Sequence, residues 1–275
     1  FITIFTRVMY KNYYFIGQQF FLSHYLLMGI GIIWSGWYFG VIPVSTLTRF
    51  LFFAAAPLAA LMIPWSLIQL IEQYEVLCRK QWIQPYTPLK KIDHTYTPFV
   101  SIHVPVHAEP PHIVLETLKY ISKIAYKNFE VIVIDNNTKE EHLWKPIEKF
   151  CKKMGSPFRF FHVTEIKGAK AGALNIALSH TDKRAEFITI IDSDYHTQPD
   201  FLKKLIGYFK NPKIGFVQTP HDYRDWHQNP FLRMCYWEYK LFFHTTLRTL
   251  RERGAGLPVG TMCIIRKKAL EVAGG

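Results

Sequence analysis

Two apolar stretches near the amino terminus constrain this chain more than any other feature. Between Lys11 and Arg49 there is no Asp, Glu, Lys or Arg, and the middle of that gap, Phe20 to Ile42, reads FFLSHYLLMGIGIIWSGWYFGVI. A second charge-free run, Phe50 to Ile71, reads FLFFAAAPLAALMIPWSLIQLI. At about 1.5 Å rise per residue, either run as a helix reaches across a hydrocarbon layer of about 30 Å. Trp34, Trp37 and Tyr38 fall near the end of the first run, where an aromatic belt lies. Pro57 and Pro64 predict a kink in the second, which membrane helices tolerate. The short join, Pro43 to Arg49, predicts a tight hairpin. The competing reading is a buried helix pair, but apolar runs this long rarely lie buried in soluble domains. A signal peptide fits poorly, because the first run exceeds an h-region and a second run follows it.

Basic residues flank the pair: Arg7 and Lys11 before it, and Arg79, Lys80, Lys90 and Lys91 after it, against Arg49 alone in the turn. The positive-inside rule then places both flanks in the cytoplasm and makes the protein a multi-pass resident of the inner (plasma) membrane. The basic flanks also suit an anionic leaflet of the lipid bilayer. Four scattered cysteines without a C-x-x-C pair exclude a disulfide scaffold and a zinc ribbon, and fit a reducing compartment. The 49% hydrophobic content excludes disorder, and the net charge of +12 suits an anionic ligand near a membrane. Nucleic acid is disfavoured, since the Lys and Arg are dispersed and form no basic stripe. The organisation read from the sequence is an amino-terminal flank over 1–19, two transmembrane helices over 20–71, a proline-broken connector over 72–98 (Gln84-Pro85, Thr87-Pro88, Thr97-Pro98) and a domain over 99–275.

That domain alternates strand and helix patterns. Strands are predicted over 99–104, 129–134, 158–163, 187–191 and 214–218. Helices are predicted over 111–125, 139–154, 168–179 and 199–209. Such alternation predicts an α/β fold, a Rossmann-type mostly parallel sheet with helices on both faces, whose ligands bind beyond the carboxyl ends of the strands. The segments placed there are Pro105 to Glu109, Asp135 to Thr138 and Asp192 to Asp194. Neither G-x-G-x-x-G after the first strand nor a P-loop is present, which removes the main support for dinucleotide and P-loop enzymes.

Asp192-Ser193-Asp194 follows the apolar run FITII. Two carboxylates one residue apart at a strand end can converge on one Mg²⁺ or Mn²⁺, which takes oxygen ligands and bridges a diphosphate. Alone, such a pair is often a solvated turn. The segment KGAKAGALN, from Lys167 to Asn175, combines glycines that allow close backbone approach with a lysine at a helix start, a pattern that suits phosphate. Its bland alternative is an Ala-rich helix with surface lysines.

Taken in order, VSIHVPVHAEPP, VIVIDNNT, KGAKAGALN, IDSDY, FVQTP and GTMCIIRKKALEVAGG resemble family 2 glycosyltransferases. The likeness is to the membrane-embedded synthases of cellulose, β-1,3-glucan, chitin and hyaluronan. DNNTKEEHLWKP and HDYRDWHQNPFLRMCYWEY most resemble bacterial β-glucan synthases of the curdlan and cyclic-glucan type. The resemblance implies a GT-A-like fold and an inverting, processive transferase that moves glucose from a UDP-sugar donor to a growing glucan acceptor chain. Chitin- or hyaluronan-like use of UDP-N-acetylglucosamine is the enzymatic alternative, and a non-catalytic nucleotide-sensing scaffold the alternative of another class. Accessory subunits of a polysaccharide secretion complex are further implied partners.

The resemblance carries roles to particular residues. Asp192 and Asp194 match the D-x-D that binds metal and the donor diphosphate. His107, Glu109, Asp135 and Lys170 match nucleotide-binding positions, with Asp135 at the uracil. Gln218, Thr219 and Pro220 match the turn beside the sugar and acceptor, and Gly260 and Thr261 the turn lining the acceptor end. His107, Ala108 and Asn136 depart from the usual Tyr, Asn and second Asp. The T-E-D motif that carries the family's catalytic base is not present in this sequence, and the resemblance implies that it lies after Gly275 in a longer chain.

Finally, Trp226, Tyr236, Trp237, Tyr239, Phe242 and Phe243 form an aromatic and basic segment. It fits an interfacial helix, an aromatic wall for a glucan, or a helix packed on the sheet. His103 and His162 alternate with apolar residues in strands and read as structural or surface positions rather than metal ligands.

Overall fold

The computed structural model describes residues 4, 7–8, 10–82, 93 and 95–274. The expected breaks at Gln84-Pro85 and Thr87-Pro88, and the flanking Lys90 and Lys91, lie outside these residues. The chain divides into two compact units. One comprises residues 1–86 and 221–257, the other 87–220 and 258–275.

The helical unit contains α1 (Phe15–Val41) and α2 (Thr46–Cys78), both long and apolar enough to cross a membrane. Ser45 caps α2 by accepting a hydrogen bond from Thr48 N at 3.1 Å. Arg49, the lone charge of the join, donates from Nη2 to Ile42 O at 3.0 Å and from Nε to Phe39 O at 3.2 Å. A cation thus closes the carbonyl end of α1, where the helix dipole favours it. The turn is tighter than the sequence reading, because α2 starts at Thr46, and α2 runs unbroken through Pro57 and Pro64. At the other end of the pair, Gly17 packs on Cys78 so closely that a Cβ on it would lie 2.6 Å from the Cys78 Cβ. Tyr14 N donates to Cys78 O and Lys80 N to Asn12 O, both at 2.8 Å.

Residues 221–257, read from sequence as part of the 99–275 domain, belong to this unit instead. They form α7 (Pro230–Leu241), a π-helical turn (Phe242–Thr246) and α8 (Leu247–Glu252). A largely buried ionic cluster ties them to α2. Arg79 bridges Glu75 and Glu252, while Arg253 reaches Glu75 at 2.7 Å. Both carboxylate side chains are 1% exposed. Within this unit Trp226 stacks on Tyr236 at 4.5 Å, whereas Trp237 and Tyr239 are exposed.

The α/β unit is a six-stranded sheet in the order β3-β2-β1-β4-β6-β5. Its strands are β1 (Phe99–Val106), β2 (Phe129–Asn136), β3 (Phe158–Val163), β4 (Ala185–Ile190), β5 (Phe216–Gln218) and β6 (Cys263–Arg266). β1 to β4 pair in parallel, whereas β6 runs antiparallel between β4 and β5. The mostly parallel sheet agrees with the sequence reading, but β6 is an addition to it. Four residues inside a motif-rich segment carry too little periodicity to announce a strand.

Alternation along β1 explains how the sheet is covered. Val100, Ile102, Val104 and Val106 are buried with Val114, Leu118 and Ile121 of α3 (Pro111–Ile121), Ile147 and Cys151 of α4 (Glu141–Met154), and Leu202 and Ile206 of α6 (Phe201–Ile206). On the other face, Ile132 and Ile134 of β2 meet Ala173 and Ala177 of α5 (Ala169–Ser179). The last helix is α9 (Lys267–Ala273). The chain leaves β1 for β2 on one side, and β4 lies on the other, so the strand order reverses between the carboxyl ends of β1 and β4. That crevice is where open α/β sheets bind ligands.

Candidate active site

A cleft of about 740 Å³ opens at this reversal. The end of β1 contributes Pro105, Val106, His107 and Glu109. The end of β2 contributes Asn136 and Asn137, the start of α5 contributes Ala169 and Lys170, and the end of β4 contributes Asp192, Ser193 and Asp194. Five of the expected site residues (His107, Glu109, Lys170, Asp192 and Asp194) therefore meet around one cavity.

The backbone around the cleft is held in unusual conformations. Ala108, Asn137 and Ala169 have φ of 56°, 60° and 50°, and Gly168 has φ of 87°. Such left-handed residues are costly outside glycine and cluster where the surrounding structure over-determines them. Here they aim the three loops. His107 Nδ1 donates to Asn136 O, and Glu109 Oε2 accepts from His107 N. Asn137 clasps Ile166, donating from Nδ2 to its carbonyl at 2.9 Å and accepting from its N–H at 2.8 Å. Gly172 is required by contact, because a Cβ there would lie 1.9 Å from Lys167 O. The first turn of α5 is thereby fixed against the loop that precedes it.

At the far wall, Lys170 Nζ lies 2.5 Å from Asp192 Oδ1 and 3.2 Å from Gly260 O. Asp192 N donates to Thr261 Oγ1 at 2.9 Å. Gln218 braces the same turn, donating from Nε2 to Thr261 O at 3.0 Å and accepting from Val259 N at 2.8 Å. Thr219 Oγ1 donates to Met262 O at 2.8 Å. Gln218, Thr219, Gly260 and Thr261 thus form one interlocked wall beside Asp192, with Pro220 closing the Gln218-Thr219-Pro220 turn. The amide of Gln218 is committed to holding that wall.

Asp135 stands apart from the cleft-lining residues. It has no exposed surface, and both carboxylate oxygens are engaged: Oδ2 with His162 Nδ1 and Oδ1 with Thr138 Oγ1, each at 2.6 Å. It does not line the cleft. The strand alternation that buries Asp135 brings the next residue, Asn136, to the cavity. Asn136 is 5% exposed and its Oδ1 has no hydrogen-bond partner. A buried orphan acceptor at a cavity wall fits a ligand N–H. The sequence reading passed over Asn136 because it departs from the resembled motif; the available signal was its place directly after Asp135 at a strand end.

The lining carries three carboxylates (Glu109, Asp192 and Asp194) against one lysine. A polyphosphate entering such a cleft meets net negative charge unless a divalent cation enters too. Asp192 and Asp194 are hard oxygen donors suited to Mg²⁺ or Mn²⁺. Among the described residues no cluster of three or more His, Cys, Asp or Glu could hold a metal unaided. The chemistry of the donor set therefore fits a metal shared with a phosphate-bearing ligand and water.

The sequence profile described as glycosyl transferase family 2 matches residues 101–274. The chain belongs to that family. The family 2 chain is 30% identical over 165 residues to the UDP-forming cellulose synthase catalytic subunit of Pseudomonas fluorescens (strain SBW25), a match covering 57% of the chain and 20% of that protein. It is 29% identical over 187 residues to cellulose synthase 1 of Komagataeibacter xylinus, covering 65% and 11%. It is 30% identical over 137 residues to a probable glucomannan 4-beta-mannosyltransferase of Arabidopsis thaliana, covering 46% and 25%. The chain thus spans at most a quarter of the length of these relatives. Among solved structures it resembles the mannosyltransferase PcManGT of Pyrobaculum calidifontis, in complex with GDP-Man and Mn²⁺. That match has a TM-score of 0.55 and 20% identity over 79% of the chain and 57% of that structure. The shared architecture is the GT-A-like fold.

Proposed function

We propose that this chain is the donor-binding part of a membrane-embedded, inverting and processive glycosyltransferase that moves glucose from UDP-glucose to a growing β-glucan. The observation that carries the reading is Asp192-Ser193-Asp194 at the carboxyl end of β4, across the strand-order reversal from His107 and Glu109 in one cleft. The name of the bacterial relative, a UDP-forming cellulose synthase, supports the uridine donor. The Mn²⁺ bound by the structural neighbour supports the metal.

In this reading the chain's own residues bind and orient. Asn136 Oδ1 accepts an N–H of the nucleobase. The first turn of α5 presents backbone N–H groups, and Lys170 a positive charge, to the diphosphate. Asp192 and Asp194 hold Mg²⁺ or Mn²⁺, which supplies charge neutralisation for the departing nucleoside diphosphate. The Gln218-Thr219-Pro220 and Gly260-Thr261 wall positions the sugar and the acceptor hydroxyl, whose proton a general base removes as it attacks the anomeric carbon. The helices α1 and α2 span the bilayer and keep the α/β unit at its cytosolic face.

The test is release of UDP from UDP-glucose by membranes containing the full-length protein. Asp194→Asn is expected to abolish metal-dependent release while membrane insertion is unchanged. Unchanged turnover in that variant refutes the metal assignment. Turnover of UDP-N-acetylglucosamine without turnover of UDP-glucose replaces the glucan reading with a chitin- or hyaluronan-like one.

A further inference from the structure

The contact between Lys170 and Asp192 carries a consequence for how the site loads. Lys170 Nζ occupies Oδ1 of a carboxylate that the donor site assigns to the metal, at 2.5 Å. Its backbone is fixed by the left-handed Gly168 and by Gly172, which has no room for a Cβ. Asp192 is fixed just as firmly, because Ile191 N donates to His103 O at 3.0 Å and Asp192 N to Thr261 Oγ1 at 2.9 Å. Only the flexible stem of Lys170 is free to move, and its side chain is 45% exposed.

We propose that Lys170 is a resident counter-cation that sets the order of loading, so that metal and donor bind together and neither binds tightly alone. A divalent ion approaching Asp192 must displace the ammonium group or sit beside it, and two cations within a few ångströms repel. Once displaced, the ammonium lies in a cleft whose remaining fixed charges are the carboxylates Glu109 and Asp194, and a metal on Asp192 and Asp194 reduces their attraction for it. The nucleoside diphosphate supplies a new anionic partner. Its arrival therefore strengthens metal binding, and by linkage the metal strengthens diphosphate binding by the same factor. The inference rests on the donor-site reading above and adds to it a built-in competitor for the metal.

The test measures Mn²⁺ binding to the full-length protein in detergent by the electron paramagnetic resonance signal of free Mn²⁺, with and without UDP. Wild type is expected to bind Mn²⁺ weakly alone and much more tightly with UDP. Lys170→Met is expected to bind Mn²⁺ without UDP at least about fivefold tighter than wild type, and to lose most of the enhancement by UDP. Lys170→Arg, which keeps the charge, is expected to stay close to wild type. Mn²⁺ affinity in Lys170→Met that is equal to or below wild type without UDP overturns the inference, as does an undiminished enhancement by UDP. The double variant Asp192→Asn/Asp194→Asn separates the two ideas: wild-type Mn²⁺ binding there rejects the donor-site reading itself, whereas its loss leaves that reading standing whatever Lys170→Met does.

Discussion

Nδ1 of His162 lies 2.6 Å from Oδ2 of Asp135, joining the edge strand β3 to the carboxyl end of β2. The other oxygen of Asp135 accepts from Thr138 Oγ1, which in turn accepts from Ala108 N at 2.9 Å. A buried carboxylate thus reaches the left-handed Ala108 through one hydroxyl and fixes the turn that carries His107 and Glu109. Trp144 stacks on His162 with ring centroids 4.3 Å apart and holds the imidazole in place. Asp135→Asn is expected to loosen that turn, raising the donor KM several-fold with a smaller change in kcat. His162→Gln is expected to act in the same direction, and the double variant to cost less than the sum of the two. Donor-concentration kinetics on all three enzymes check it. A loss confined to kcat contradicts a positioning role.

Gly172 gives a steric prediction. With a Cβ 1.9 Å from Lys167 O, Gly172→Ala must push the first turn of α5 away from the loop before it. Overpacking of this kind costs typically about 1–3 kcal/mol, and the displaced turn carries Lys170. The expected outcome is a lower unfolding midpoint together with weakened UDP binding. Ala171→Ser, on the same turn, tests the specificity of the effect. Chemical denaturation and equilibrium UDP binding are the measurements, and a Gly172→Ala protein with wild-type values for both contradicts the close approach.

His103 predicts an acid limb of stability. It is 2% exposed in β1, and burial lowers its pKa from 6.5 to about 4. Its Nε2 lies 3.1 Å from Ser101 Oγ and 2.9 Å from Thr181 Oγ1. Each hydroxyl donates elsewhere, Ser101 to Glu130 Oε1 and Thr181 to Ala177 O, so Nε2 carries the proton of a neutral ring. Because burial disfavours the imidazolium, the folded state takes up the second ring proton, at Nδ1, less readily than the unfolded chain. The stability is fully present above about pH 6.5 and is lost as the pH falls towards 4, by about 3 kcal/mol over that window. His103→Gln is expected to flatten this limb while lowering stability at neutral pH. Urea unfolding at a series of pH values between 4 and 7 checks both.

The sequence was informative where a physical signal repeats over many residues. The two apolar runs marked α1 and α2 because their lack of charge extends over more than twenty residues, and β2 and β3 were bounded closely by β-branched and aromatic runs. D-S-D and KGAKAG marked the cleft because strand ends in an open sheet place their loops together. What escaped was set by tertiary contacts. Nothing local to Asp135 says that His162 and Thr138 consume its oxygens while Asn136 takes the cavity wall. Nothing in Trp226 to Glu252 says that the segment joins the helical unit, because the contacts that tie it there, the Arg79–Glu252 ion pair among them, reach residues more than 170 positions away. β6 escaped for the same reason, since its ladder partners lie in distant parts of the chain.

That ionic cluster supports the last prediction. Glu75 and Glu252 have side chains only 1% exposed, and Arg79 spans them with 10% of its side chain exposed. Arg253, with 41% of its side chain exposed, reaches the other oxygen of Glu75 at 2.7 Å. Two buried carboxylates face the buried Arg79 and the partly exposed Arg253, so removing Arg79 leaves buried negative charge poorly compensated. Breaking a buried pair in this way costs roughly 3–5 kcal/mol, although an apolar replacement of the whole pair is often neutral. Arg79→Met alone is therefore expected to destabilise the packing of α8 on α2 severely. Arg79→Met combined with Glu252→Leu is expected to recover much of the loss, because the second change removes a buried carboxylate that has lost its ion pair with Arg79. Limited proteolysis within residues 221–257 and thermal unfolding of the detergent-solubilised protein distinguish these outcomes. Equal damage in the single and double variants shows that Arg79 acts through packing alone and not through the ion pair.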